Sequence, residues 1–206
     1  MKNTIFFFFL IIQSLVIIES KAQNTLVLVN GKKIEISEFK QRDSLFLSYK
    51  NKKGKIKLAN LLDVFSVQKE DGKEIIYYVA DSTNNESFTV NQMRNFVNGS
   101  YDARTNYKTP WITSAGFVVG GSSAIAVSSV GLNSVLAPVF PALYSGAIGI
   151  IKVKKEKLNI PENLRKNEYY TEGYYRTANH KRINNAIFSS GVGMAIGIVA
   201  LLIFAK

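Results

Sequence analysis

Few side chains in this 206-residue sequence have the chemistry of a catalytic or metal-binding site. It contains no cysteine and a single histidine, His180, which excludes a thiolate nucleophile, disulfide bonds and a cluster of His or Cys metal ligands. No nucleophile elbow, phosphate-binding loop or His-Glu-x-x-His motif is present. An activity would have to rest on Asp102 and His180, two polar residues that each lie shortly before a long stretch without charged residues. We therefore predict a non-enzymatic protein with no cofactor and no metal.

The polar chemistry that does stand out is a basic, tyrosine-rich segment over residues 152–182. Nine Lys or Arg accompany four Glu there, in a chain of net charge +11. Tyrosine beside Lys or Arg is typical of the water–lipid boundary, so we predict an interfacial helix from about Pro161 to Asn185, interrupted at Gly173. Binding of anionic lipid or an envelope polymer and binding of a protein are alternatives, whereas the expected export of the chain makes nucleic acid an unsuitable partner. The predicted interface residues are Trp111, Tyr169, Tyr170, Tyr174, Tyr175, Arg176, Lys181 and Arg182.

Three stretches of the chain contain no charged residue: 3–18, 109–151 and 183–205. A membrane-spanning helix needs roughly 20 residues. The second stretch has about twice that length and divides near Gly131, so it predicts a two-span hairpin over 112–151. The third stretch predicts a single span over 183–205. Because no ionisable residue lies inside these spans, a pump, a coupled transporter and an intramembrane protease are disfavoured.

The first charge-free stretch has the features of a secretory signal peptide. Lys2 gives a positive start, an apolar run comes next, and Ser20 and Ala22 are small residues of the kind that signal peptidase requires. We predict a signal peptide over 1–22 and export of the chain beyond it, with an uncleaved anchor helix as the alternative. The Phe-rich run and its Lys-Ala-Gln ending resemble signal peptides of Bacteroidota.

Small residues recur in the predicted spans at intervals that suit helix packing. Gly116 and Gly120 form one G-x-x-x-G spacing, and Gly193 and Gly197 form another. Such positions let two helices approach closely, so that van der Waals packing holds them together. They predict either packing within a three-helix unit or the assembly of several copies into an oligomer or a pore.

Residues 23–87 alternate and turn like short β-strands. Asn30-Gly31 and Asp71-Gly72 are strong hairpin signals, because these residue types tolerate the positive φ of a tight turn. Six short strands at close spacing predict an exported small antiparallel β-barrel or sandwich.

Residues 88–111 form a predicted connector between the β-domain and the spans. Met93, Phe96, Val97 and Tyr101 share one helical face, so we predict an amphipathic helix over Val90–Arg104. Its apolar face would either pack on the β-domain or lie on the membrane surface.

The strand pattern also resembles a known class of module. The run Leu-Val-Leu-Val-Asn-Gly-Lys-Lys-Ile-Glu-Ile at 26–36, Leu-Leu-Asp-Val-Phe-Ser-Val at 61–67 and Asp-Gly-Lys-Glu at 71–74 resemble the small SH3-like β-barrels of exported Bacteroidota proteins. Such modules share no catalytic residues, so the resemblance implies an interaction module. Asp81-Ser82-Thr83 resembles the O-glycosylation sequence of periplasmic proteins of that phylum, which makes Ser82 a candidate site.

Two rules disagree about the side of the membrane on which residues 152–182 lie. If 112–151 crosses twice, the basic segment returns to the side of the β-domain. If it crosses once, the segment lies on the opposite side, and the positive-inside rule favours that arrangement. We favour two crossings because so long an apolar stretch is hard to place otherwise.

Together these features predict an α+β membrane protein, with a small antiparallel β-barrel or sandwich followed by a three-helix transmembrane region. The expected location is the inner (cytoplasmic) membrane, with a periplasmic N-terminal domain. We expect a small subunit or scaffold in cell-envelope assembly, with membrane lipid and an envelope protein as partners. A small pore or transport accessory, formed by a homo-oligomer through the small-residue spans, is the alternative.

Overall fold

The structure, a computed structural model, describes residues 23–81, 87–129 and 136–204. The predicted signal peptide over 1–22, the candidate glycosylation residue Ser82 and the predicted division near Gly131 lie outside the described residues. The described chain begins with six strands: β1 Asn24–Leu28, β2 Lys33–Gln41, β3 Phe46–Asn51, β4 Ile56–Asn60, β5 Val64–Gln68 and β6 Glu74–Ile76.

Short turns join the strands where the sequence has glycine. Gly31, Gly54 and Gly72 have positive φ values of 79°, 74° and 80°, a conformation that is open to glycine at little cost. The side chains of Asn30 and Asp71 each accept the backbone N–H two residues further on, which fixes the turn. The strands are antiparallel in the order β4-β3-β2-β1-β5-β6.

The sheet is open, unlike the predicted closed barrel or two-sheet sandwich. Register shifts in β1, between Val27 and Leu28, and in β2, between Ile36 and Glu38, interrupt its regular pairing and favour bending. One buried cluster draws on strands β1, β2, β3 and β5: Leu26, Ile36, Leu47, Tyr49, Val64 and Val67. A barrel would need β4 to pair with β6, but β6 has only three residues and pairs with β5.

Helix α1, Val90–Asn106, begins where the sequence predicts a helix. The Thr89 hydroxyl accepts the Gln92 N–H, and the Gln92 side chain accepts the Thr89 N–H, which forms a capping box. One face of the helix packs on the sheet, because Val97 shares a buried cluster with Val27 and Phe65. The sheet-facing side of the connector is therefore covered by protein.

Further helices come next in chain order: α2 Pro110–Ser129, α3 Val139–Ile150, α4 Glu162–Arg165 and α5 Glu168–Phe204. The predicted α+β class, an antiparallel sheet followed by helices, is confirmed. By length and composition α2 and α5 could each cross a membrane, a test that the core helix of a soluble protein can also pass.

The prediction of three spans is corrected to two candidate spans. Helix α3 has 12 residues and rises about 18 Å, which is shorter than the roughly 30 Å core of a bilayer. Pro138 precedes it and Pro141 lies in its first turn, where proline is tolerated because the N–H has no intrahelical partner there. The two prolines therefore favour a late start for the helix.

Helix α5 runs for 37 residues without the predicted break at Gly173, and α1 and α2 lie beside it in the same direction. Three hydrogen bonds show the direction, because their partners are a nearly constant 77, 77 and 76 residues apart: Gln92 with Tyr169, Arg104 with Lys181 and Thr109 with Asn185. A constant separation in sequence indicates parallel neighbours.

Helix α3 runs back toward the sheet, alongside α2 and α5. The Tyr144 hydroxyl donates to the Ile112 carbonyl at 2.6 Å, and beyond the end of α3 the Arg182 guanidinium donates to the Ile151 carbonyl at 2.7 Å. The basic segment is therefore at the same end of the molecule as the sheet. We call the sheet, α1 and residues 151–182 the head, and α2, α3 and residues 183–204 the stem.

Candidate functional site

Glycine lies at the close approaches between α5 and its parallel neighbours. In the head, a Cβ added to Gly99 would overlap the Tyr170 carbonyl, and a Cβ added to Gly173 would overlap the Phe96 carbonyl. The contact is reciprocal, because each of these carbonyls lies three residues before the opposite glycine. Backbone atoms of the two helices can therefore touch directly, with Cα–H groups facing carbonyl oxygens.

The same reciprocal contact recurs in the stem. A Cβ on Gly120 would overlap the Ser190 carbonyl, and one on Gly193 would overlap the Phe117 carbonyl. Two further overlaps complete the contact between α2 and α5: Gly116 with the Ser189 hydroxyl and Gly197 with the Gly121 carbonyl. In the structure, all four glycines of the predicted packing motifs thus lie at contacts between helices of the same chain. Gly99 and Gly173 were missed, although both show the same close packing.

Large apolar side chains cover the outside of the stem. On α2 the buried residues are Gly116, Gly120, Ser123, Ala124 and Val127, which are small or β-branched. The exposed side chains include small ones on α2, such as Ser122 and Ala126, and large apolar ones on α2 and α5: Phe117, Val118, Ile125, Ile187, Phe188, Ile196, Val199 and Leu202. This arrangement is the reverse of a water-soluble helix pair, which buries its large apolar side chains.

An open cleft of about 620 Å³ lies where the head meets the stem; we call it the head–stem cleft. The end of β1, the turn before β5, α1 and the polar half of α5 form its walls. Its polar lining consists of Asn30, Asp63, Ser100, Arg104, Arg176, Thr177, His180, Lys181, Asn184 and Asn185.

Positive charge predominates in the head–stem cleft. Asp63 is the single acid of its lining, against Arg104, Arg176 and Lys181. Burial lowers the pKa of Lys181, and the charges of Arg104 and Lys108 lower it further. The cations therefore repel one another, and a bound anionic group would relieve that repulsion.

The walls of the head–stem cleft are fixed by hydrogen bonds between elements. The Arg104 Nε donates to the Asn30 carbonyl at 3.0 Å and ties α1 to the turn between β1 and β2. The Lys181 Nζ donates to the Arg104 carbonyl at 2.6 Å and ties α5 to α1. Gly31 approaches Ser100 so closely that a Cβ would overlap it. The cleft is therefore formed before any ligand binds.

Two of the tyrosines predicted at a membrane interface are buried inside the protein. Tyr170 and Tyr174 are only 4% and 2% exposed. The Tyr170 hydroxyl donates to Asp102 Oδ2 at 2.5 Å, and the Tyr174 ring packs edge-on against Tyr107. These rings hold α1 against α5 instead of facing outward. Asp102 is thus engaged by Tyr170, while His180 lines the head–stem cleft.

The other predicted interface residues have different surroundings. The Tyr169 hydroxyl accepts a hydrogen bond from Gln92 at 2.6 Å, and Lys155 lies over the Tyr175 ring. Arg182 holds the end of α3 through the Ile151 carbonyl. Trp111 is 86% exposed in the first turn of α2, which places its ring beside the apolar exterior of the stem.

A charged network stabilises the start of α5. Glu172 accepts hydrogen bonds from Arg176 Nε at 2.7 Å and from Lys155 Nζ at 2.9 Å. Burial alone would raise the pKa of Glu172, but these hydrogen bonds and the charges of both cations outweigh burial and lower the pKa from its ordinary value of 4.5. The ionised carboxylate therefore stabilises the folded head.

We expect Glu172→Gln to lower the unfolding temperature at pH 7 and to have less effect in acid. The folded-state pKa is depressed, so the stabilisation is present above the ordinary pKa and is lost as pH falls through the folded-state value. Because the network is partly exposed, the loss at pH 7 should be about 1 kcal/mol. Thermal unfolding followed by circular dichroism between pH 7 and pH 3 measures it, with the exposed Glu162→Gln as the control. A difference between wild type and Glu172→Gln that does not change with pH would contradict this account.

In the part of the chain that the structure describes, no group of three or more His, Cys, Asp or Glu is placed to hold an ion. What the head–stem cleft offers is fixed cations with amides and hydroxyls around them, which suits recognition of an anionic group. No protein-family model, curated protein or solved structure matches the chain.

Proposed function

We propose that the protein is a non-enzymatic membrane protein whose stem is embedded in the inner membrane and whose head is a periplasmic interaction module. In this proposal it acts as a small subunit or scaffold in cell-envelope assembly. The observation that carries the proposal is the exterior of the stem, where large apolar side chains face outward around glycine-mediated contacts.

Lipid is the environment that suits this exterior. A water-soluble monomer rarely exposes a contiguous apolar patch of more than a few hundred Å², whereas exposed apolar side chains occur along both α2 and α5. In lipid, burial of apolar surface does not drive helices together, so close packing of small residues takes over that role. Glycines at the α2–α5 contact and large side chains outside meet both requirements.

The direction of the helices supports a return of the chain between the two candidate spans. Because α2 and α5 are parallel, the chain must return between them from the far end of the stem to the head, and α3 runs in that direction. The basic segment then lies on the same side of the membrane as the sheet. The head is periplasmic if residues 1–22 direct export.

The head–stem cleft is the proposed site for a protein partner. Its cations suit an acidic segment, and Asn30, Asn184 and Asn185 can bond the amides of a peptide backbone. The lining draws on β1, the turn before β5, α1 and α5, which favours a chain segment lying across several elements over a small metabolite.

Purification of the tagged full chain in a mild detergent, from membranes washed with carbonate, tests the proposal. We expect the chain to stay in the washed membranes and to bring down a partner. The amount of partner recovered should fall about tenfold or more in Arg104→Gln/Lys181→Gln, since each charge-assisted hydrogen bond contributes about 1.5–3 kcal/mol. Release of the chain by carbonate would contradict the embedded stem.

Lys53→Gln/Lys55→Gln is the matched control, because it removes two exposed cations from the turn between β3 and β4. It should retain the partner. A wild-type chain that comes down alone, or a partner retained equally by both double variants, would contradict the role of the head–stem cleft.

A pore formed by several copies is less well supported. Such a pore would need the glycines of α2 and α5 at contacts between copies, but Gly116, Gly120, Gly193 and Gly197 are all used within one chain.

A further inference from the structure

A second cleft, of about 500 Å³, lies on another side of the boundary between head and stem. Its charged lining is entirely basic: Lys108, Lys152, Lys154, Lys157 and Arg182. We call it the collar cleft, because the first turn of α2 and the segment after α3 form its two walls.

The cations of the collar cleft are not neutralised by neighbouring carboxylates. Within the described ranges, none of its four lysines forms an ion pair with Asp or Glu. Arg182 is anchored at its base by the bond to the Ile151 carbonyl. The amino end of α2 also opens into this cleft, and the helix dipole adds to the positive potential there.

Apolar side chains adjoin the charged ones on the stem side. Ile112 and Trp111 belong to the lining, and Ile150 and Ile151, at the end of α3, are 82% and 62% exposed. A ligand of this cleft therefore meets cations at one end and apolar surface at the other.

We propose that the collar cleft binds the phosphate group of an anionic phospholipid, with the acyl chains lying along the stem. This inference rests on the proposed embedding of the stem, because only then does the cleft open at the level of the lipid headgroups. Lysines there hold the phosphate as point charges, and the Trp111 ring lies at the headgroup level, where the indole group is favoured.

A lipid fits the collar cleft better than free phosphate does. Free phosphate would gain binding energy from the cations alone, whereas a phospholipid also covers the exposed rings and aliphatic side chains beside them. The head–stem cleft differs in this respect, since its lining contains an acid and three asparagines and it borders the sheet.

Trp111 provides the test, because it is the only tryptophan in the chain and lines the collar cleft. The full chain is reconstituted into vesicles in which either phosphatidylcholine or phosphatidylglycerol, at equal mole fraction, carries bromine on the acyl-chain carbons nearest the headgroup, the level at which Trp111 lies. Bromine quenches tryptophan on contact. We expect phosphatidylglycerol to quench Trp111 roughly fivefold more effectively, the preference that a single cation at a membrane surface gives.

Lys108→Gln/Lys152→Gln/Lys154→Gln should reduce that preference to near one, while leaving Arg182 and its structural bond intact. The matched control is Lys53→Gln/Lys55→Gln/Lys57→Gln, which removes the same charge from an exposed hairpin of the head and should retain the preference. Circular dichroism spectra equal to that of the wild type show that both variants are folded. Addition of inorganic phosphate in an amount equal to that of the lipid should leave the preference for phosphatidylglycerol in place if the ligand is the lipid.

The outcomes separate this inference from the proposed function. Equal quenching by both brominated lipids would leave the embedded stem supported and overturn the collar cleft as an anionic-lipid site. Absence of quenching by either lipid would contradict the embedded stem itself. Loss of the preference in the control variant, or on addition of phosphate, would show general charge attraction and also overturn the inference.

Discussion

Gly120→Ala is expected to disrupt the packing of α2 against α5, whereas Gly121→Ala, one residue later, should leave it intact. A Cβ on Gly120 would overlap the Ser190 carbonyl, which is backbone and cannot turn away. A Cβ on Gly121 would lie 3.6 Å from the nearest atom, the Gly193 carbonyl, which is ordinary van der Waals contact. The two variants have the same composition and differ only in the face that receives the methyl group.

The cost of Gly120→Ala should be about 1–3 kcal/mol, as for other insertions of a methyl group into a closely packed contact. The helices must separate, and the loss spreads to Gly193 and Phe117 because the contact is reciprocal. Gly121→Ala should be neutral or slightly stabilising, since alanine favours a helix by up to about 1 kcal/mol over glycine.

Unfolding of the purified chain in detergent mixtures, followed by circular dichroism, measures both variants. Equal stability of Gly120→Ala and wild type would contradict the close contact. If both variants were equally destabilised, the cause would be the loss of glycine in α2 and not the contact with α5. On α5 the same comparison is made between Gly193→Ala and Gly191→Ala. A Cβ on Gly191 meets no atom within 4 Å.

Sequence periodicity predicted the glycines of the stem but not those of the head. In the stem the spacing stands out within apolar runs, where a pair of glycines one turn apart is typical of helix packing. Gly99 and Gly173 lie among polar residues, where glycine usually ends a helix, and we predicted a break at Gly173. Only the neighbouring helix shows that a glycine is needed there, because its carbonyl occupies the space of a side chain.

The tyrosines show a second limit on what composition can predict. Tyrosine beside lysine and arginine predicts a membrane interface equally well whether the ring faces lipid or another helix. Tyr170 and Tyr174 are buried because Asp102 on α1 and Tyr107 directly after it lie opposite them, a pairing between residues 67 or 68 positions apart. Local sequence can place these residues on helices but cannot say which helices pack together.

The sheet and α3 were predicted in part for a similar reason. Hairpin chemistry is local, so the residues themselves indicated turns at Asn30-Gly31 and Asp71-Gly72. Closure of a barrel depends on contacts between the first and last strands of the sheet, which no local signal specifies. Pro138 and Pro141 favour a late start of α3, but the division of 112–151 into two spans rested on apolar length alone.

Phe65→Ala is expected to separate the sheet from α1. Phe65 lies on β5, is 2% exposed and shares its cluster with Val27 of β1 and Val97 of α1. The Arg94 guanidinium lies over its ring, 5.5 Å from the centroid, and also donates to Glu74 at 2.6 Å. One side chain thus takes part in the hydrophobic and the charged contacts that hold α1 on the sheet.

Removal of this ring should cost about 3–5 kcal/mol, which is a large part of the roughly 5–15 kcal/mol that stabilises a typical domain. Urea unfolding of the full chain in a mild detergent, with hydrogen exchange of the α1 amides, measures the loss. Leu62→Ala, close to β5 but 81% exposed, is the control and should change stability by no more than about 0.5 kcal/mol.

The amides of α1 distinguish two ways in which α1 could be held in the head. If the sheet holds α1, Phe65→Ala should speed exchange throughout the helix, with the Trp111 emission unchanged because the stem is packed by its own glycines. If α5 alone holds α1, through Gly99, Gly173 and the Tyr170–Asp102 hydrogen bond, the helix should stay protected while the sheet unfolds. Protection of α1 in Phe65→Ala would therefore overturn the role of Phe65 and assign the attachment of α1 to α5.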